Sequence, residues 1–113
     1  MYQLSRAYEK NNDAKNTLIY SEKSCDSGYG IACNSLGLLS YEGKLIEENE
    51  PLALYYFLKA CRKGNAGGCY NAAGLYEYGR GTPIRLKKAK YYYKKSCKKG
   101  YQDGCRKYKR FKS

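Results

Sequence analysis

Two kinds of segment alternate along this chain. One reads PLALYYFLKACRK (51–63), in which apolar and aromatic residues mix with basic ones. The other reads IACNSLGLLSYEG (31–43) and GGCYNAAGLYEYG (67–79), in which small residues leave room for close helix contact. The first kind starts at Pro51, a residue whose fixed φ suits the first helical position. Asn49 stands before it as an N-cap; Asp13 holds that place one unit earlier, and Arg85, a weaker cap, one unit later. Gly28, Gly64 and Gly100 follow its last turn, where a left-handed residue closes a helix. Gly43 and Gly79 close the second kind, and Gly37 and Ala73 are its small residues in register. The pattern predicts seven helices, at about 2–10, 14–27, 31–42, 50–63, 67–78, 86–99 and 103–111.

The alternation is an internal repeat. Cysteines fall at 25, 33, 61, 69, 97 and 105, so each pair is spaced by eight and successive pairs by 36. PLALYYFLKACRKGNAGGC (51–69) aligns with KKAKYYYKKSCKKGYQDGC (87–105), sharing Ala53/Ala89, Tyr55/Tyr91, Tyr56/Tyr92, Lys59/Lys95, Lys63/Lys99, Gly64/Gly100 and Gly68/Gly104. NTLIYSEKSCDSGYGIAC (16–33) fits the same frame. Helical hairpins at such a period stack into an α-solenoid. The expected organisation is one all-α domain over 1–113. It has a partial repeat at 1–13, repeats at about 14–49 and 50–85, and an incomplete one at 86–113.

Each cysteine pair sits near the end of one helix and the start of the next, antiparallel one, across a glycine turn. That spacing brings the sulfurs within disulfide reach, so Cys25–Cys33, Cys61–Cys69 and Cys97–Cys105 are the expected bonds. Metal is the poorer reading, because the chain has no histidine and each repeat offers only two sulfur ligands. Redox chemistry is poorer too, since reactive pairs are usually CxxC. No cofactor or metal is expected. Structural disulfides point to an oxidising setting, either secreted or periplasmic. MYQLSRAYEK lacks the charged-then-apolar form of a signal peptide, and no apolar run is long enough to span a membrane. Met1 aligns with Gly37, inside a helix, so the chain is expected to be a piece of a longer array or to have its start site placed late.

The chain has 113 residues and a net charge of +12. The charge is uneven: residues 80–113 hold 14 Lys/Arg against one acid, and residues 1–79 hold 8 against 9. KKAKYYYKKSCKKG and RKYKRFKS mix basic and aromatic residues as nucleic-acid binders do. The repeat already accounts for the tyrosines, however, so nucleic acid is not the expected partner. An acidic lipid, glycan or protein surface suits the lysines of an exported protein better.

The run Ala53-x-x-Tyr56-Phe57-x-Lys59-Ala60-Cys61-x-x-Gly64, followed by Gly68-Cys69-x-Asn71-x-x-x-Leu75-Tyr76-x-x-Gly79-x-Gly81, resembles the Sel-one-like repeat (SLR). With its cysteine pairs at a 36-residue period, the chain is similar to the Helicobacter cysteine-rich protein family. It departs from the usual pattern at Ala73, in place of Gly, and at Ser40, in place of Tyr. The resemblance implies a right-handed, TPR-like solenoid with one disulfide per repeat, exported from its cell and acting as an interaction scaffold. It also implies an alternative, penicillin binding with weak β-lactamase activity, and hence a β-lactam or cell-wall-like small molecule as ligand. Of the sequence elements such an enzyme needs, only Ser96-Cys97-Lys98-Lys99 fits SxxK, and SDN and KTG are absent. Ser96 aligns with the packing positions Ala60 and Ser24. Glu47, Glu48 and Glu50 read as a solvated loop and helix start rather than paired catalytic carboxylates. No catalytic residue is assigned.

A protein or peptide partner is expected along the concave face, with the protein a monomer. By analogy with related repeats, the groove positions are Asn34, Leu38 and Tyr41 in one repeat and Tyr70, Gly74, Glu77 and Tyr78 in the next, extended by Arg106 and Arg110. Flat rings with polar tips suit such contacts.

Overall fold

The computed structural model describes residues 21–43 and 49–112. The described residues form six helical segments and no strand. We label them α1 (described over 21–26), α2 (Gly30–Glu42), α3 (Glu50–Arg62), α4 (Ala66–Tyr78), α5 (Leu86–Lys98) and α6 (Gln102–Lys112). The five helices from α2 onward start and end within about one residue of the positions predicted from the repeat. The helix expected at 2–10, the cap at Asp13, the first part of the helix at 14–27 and the acidic pair Glu47–Glu48 lie outside the described residues.

Local chemistry sets these boundaries. Asn49 accepts a hydrogen bond from the Leu52 N–H at 3.0 Å, capping α3 ahead of Pro51. Asn65 caps α4 in the same way, accepting from the Gly68 N–H at 2.7 Å. Arg85, at the start of α5, makes no side-chain cap bond. Gly28, Gly64 and Gly100 adopt φ of 108°, 92° and 96°, a region that side chains disfavour, and each turns the chain into the next helix.

Helices pack on their neighbours in sequence, and α2 also touches α4, its counterpart one repeat on. The result is a solenoid of antiparallel hairpins. One disulfide crosses each hairpin turn, Cys25–Cys33, Cys61–Cys69 and Cys97–Cys105, with Cα–Cα distances of 4.7, 4.6 and 4.5 Å. Such close approach needs a small residue beside the second cysteine. A Cβ on Gly68 would stand 2.6 Å from the Ala60 Cβ.

The core is a row of clusters rather than one centre. Cys25, Cys33, Leu36 and Ala60 form the first, Ala53, Phe57, Ala72 and Leu75 the second, and Ala73, Tyr76, Ala89 and Tyr93 the third. Leu54 and Leu58 of α3, each partly buried, touch both the second and the third, so their contacts join one repeat to the next.

Candidate binding groove

A cleft of about 270 Å³ opens along the α2–α4–α6 side of the solenoid. Its floor is apolar. Phe57 of α3, Leu75 and Gly74 of α4 and the ring of Tyr93 of α5 supply it. Aromatic walls rise from α2 and α4, with Tyr41, Tyr70 and Tyr78 standing around Leu38. Polar groups sit at its edges: Asn71, Arg80 and Lys107.

Those polar groups are held in place. Tyr93 donates its hydroxyl to the Glu77 carboxylate at 2.6 Å. Lys107 Nζ lies 3.6 Å from the same carboxylate and donates to the Tyr78 hydroxyl at 3.1 Å. Burial, then the bond to Glu77, holds the Tyr93 phenol well above its ordinary pKa, so it stays a neutral donor. The Tyr78 hydroxyl and the Glu77 carboxylate likewise raise Lys107, which stays cationic. Asn71 donates to the Asn34 side-chain oxygen at 2.9 Å, tying α4 to α2. Arg80 pairs with Glu50 at 2.6 Å, and its guanidinium carbon lies 5.4 Å from the Tyr41 ring centroid. Tyr70 stands edge-on to Tyr93 at 5.5 Å and tilted against Tyr101 at 4.9 Å.

Of the positions expected from sequence, Leu38, Tyr41, Tyr70, Gly74 and Tyr78 line the cleft. Asn34 lies behind it as the acceptor for Asn71, and Glu77 lies beneath it as the anchor of Tyr93 and Lys107. Arg106 and Arg110 are not among the lining residues; both are exposed, and Arg106 pairs with Asp103 on its own helix. Lys107 takes the place expected of them. Asn71 and Arg80 also line the cleft, outside the expected set. Asn71 and Lys107 are 36 residues apart, so the repeat register carried the signal. The cleft face includes a row one residue beyond the one expected.

The serine of the SxxK match is closed to solvent. Ser96 is 0% exposed, and its hydroxyl donates to the Tyr93 carbonyl at 2.8 Å, within the packing of α5 against α6. It has no path to a substrate. Among the described residues no cluster of cysteine, aspartate or glutamate could hold a metal ion, and no helix is long and apolar enough to cross a membrane.

The family model described as Sel1 repeat matches residues 30–65 and 66–101. Each match pairs a helix of the α2 kind with the following helix of the α3 kind, a phase half a unit from the 14–49 and 50–85 frame. Among solved structures, the chain is similar to a Sel1 repeat protein from Oxalobacter formigenes, with a TM-score of 0.83 and 24% identity over 97% of this chain and 33% of that one. It is similar to Helicobacter pylori cysteine rich protein B, with a TM-score of 0.78 and 23% identity over 91% of this chain and 87% of that one. It is also similar to a protective antigen of uropathogenic Escherichia coli strains displaying an SLR fold, with a TM-score of 0.79 and 22% identity over 92% and 23% of the two chains. This chain therefore spans about a third of the Oxalobacter protein's length. At these identities the likeness is one of fold. No curated protein matches the chain.

Proposed function

Since this chain belongs to the Sel1 repeat family, we propose that it is a disulfide-stapled interaction scaffold that takes an extended segment of a partner protein into the α2–α4–α6 cleft. The observation that carries this reading is the cleft's composition: three tyrosines over an apolar floor, edged by Asn71, Arg80 and Lys107. Tyrosine gives large contact area with few rotatable bonds, and cations and amides at the rim suit peptide carbonyls and carboxylates. The three disulfides support work in an oxidising setting, secreted or periplasmic. No observation favours β-lactam chemistry, because Ser96 is sealed in the α5–α6 contact.

The test is selection of peptides from a random library on the oxidised protein, followed by fluorescence anisotropy. Tyr70→Ala and Tyr41→Ala are expected to weaken the best peptide about tenfold or more each, on the scale of interface aromatics. Tyr55→Ala, on the outer side of α3, is expected to leave it within about twofold. Unchanged affinity in both cleft variants removes the proposal.

A further inference from the structure

The outer face of α5 carries charge that the cleft does not use. α5 holds six lysines, no arginine and no acid over Leu86–Lys98. Lys87, Lys94 and Lys98 fall at helical spacing around Tyr91, and all four side chains are exposed. Lys95 lies 5.8 Å from the Tyr91 ring centroid and Lys94 5.9 Å from that of Tyr108, so the rings organise the ammonium groups. The ion pairs among the described residues involve Lys59, Arg80, Arg106 and Lys107, and none reaches a lysine of α5. The repeat shows that the packing does not require this charge. Lys90 and Lys94 stand where α3 has Leu54 and Leu58, which pack against the neighbouring repeat. The result is an uncompensated cationic stripe on a helix about 20 Å long, centred on an exposed tyrosine.

We propose that this face docks on an anionic phospholipid bilayer, leaving the cleft on the α2–α4–α6 side open. Charge complementarity selects an anionic partner, and two features select a bilayer over nucleic acid. Lysine is a point charge suited to smeared surface potential, whereas ordered phosphates favour the forked guanidinium, which α5 lacks. A tyrosine amid the lysines suits the bilayer interface, where its ring meets the acyl boundary and its hydroxyl meets water.

The test is co-sedimentation of the oxidised protein with phosphatidylcholine vesicles containing about 30% phosphatidylserine at about 0.1 M salt, with pure phosphatidylcholine vesicles and a 20-base-pair DNA duplex alongside. Binding to the anionic vesicles alone, lost on raising salt to about 0.5 M, is expected. Each lysine near such a surface is worth about 1 kcal/mol, or about fivefold in partitioning. The variant Lys87→Gln/Lys94→Gln/Lys98→Gln should therefore fall about 100-fold. Arg106→Gln/Lys109→Gln/Arg110→Gln removes the same net charge from exposed positions on α6 and should fall less than about tenfold. Tyr91→Ala should weaken vesicle binding by a further few-fold. Three results overturn the proposal: no binding to the anionic vesicles, equal loss in the two triple variants, or tighter binding to the duplex than to the vesicles. Circular dichroism and a free-thiol count verify that each variant keeps its helices and disulfides.

Discussion

Gly37 is buried where α2 crosses α3, and a Cβ there would stand 2.5 Å from the Phe57 ring. The Phe57 ring can lie this close to the α2 backbone because the position has no side chain. Gly37→Ala should cost about 1–3 kcal/mol in urea unfolding, the usual scale for an added methyl in a packed core. Ala73, its counterpart one repeat on, is fully buried in its own cluster, so the repeat tolerates a methyl there where the local spacing differs. At this scale the sequence was only partly legible. The repeat pointed to Leu38, Tyr41, Tyr70, Gly74 and Tyr78, which line the cleft, but to Arg106 and Arg110 where the structure has Lys107. A periodic pattern identifies a helical face. How far that face extends shows only in the register of Asn71 with Lys107, a row one residue beyond the expected one. Glu77 shows the same limit. It occupies a groove position in register, yet its half-buried carboxylate is taken up by Tyr93 and Lys107.

Helix ends, by contrast, were legible to within about a residue, because each end depends on chemistry only a few residues away. Asn49 caps α3 through the Leu52 N–H, and Gly43 and Gly79 close α2 and α4 with φ of 70° and 69°. Neither α2, which begins at Tyr29, nor α5, which begins at Arg85, has a side-chain cap bond, and α5 continues into lysines. A carboxylate at position 85 would accept the orphan N–H groups and oppose the positive end of the helix dipole. Arg85→Asp is therefore expected to raise stability by about 1 kcal/mol, and Asn49→Ala to lower it by about the same amount. Both are read from the midpoint of denaturant unfolding at unchanged slope.

Across the described residues, the main packing is between helices adjacent in sequence and the core is a row of clusters, so stability is a sum of local terms rather than one cooperative centre. A chain of this size buries a modest core, and disulfides are a usual supplement. Each closes a loop with a sequence separation of 8, for which the chain-entropy model gives about 2.5 kcal/mol. Replacing the pair Cys61 and Cys69 by alanine should lower unfolding free energy by about that amount and leave the flanking hairpins helical by circular dichroism. Loss of all helicity in that variant would mean that the repeats do not hold themselves independently. The 36-residue period made this architecture legible, because a repeat states its own packing partner. Its ligand was not legible, since the cleft arises only when side chains from α2 to α6 converge.

The central claim, that the partner lies in this cleft, is tested most directly by photo-crosslinking from two tyrosines of similar exposure on opposite sides of the solenoid. Tyr78, 59% exposed at the cleft, and Tyr55, 50% exposed on the outer side of α3, are each replaced by p-benzoylphenylalanine. The oxidised proteins are then irradiated with a library-selected peptide. Capture from position 78 with none from position 55 is the predicted result. Capture from position 55 alone, or equally from both, would contradict it.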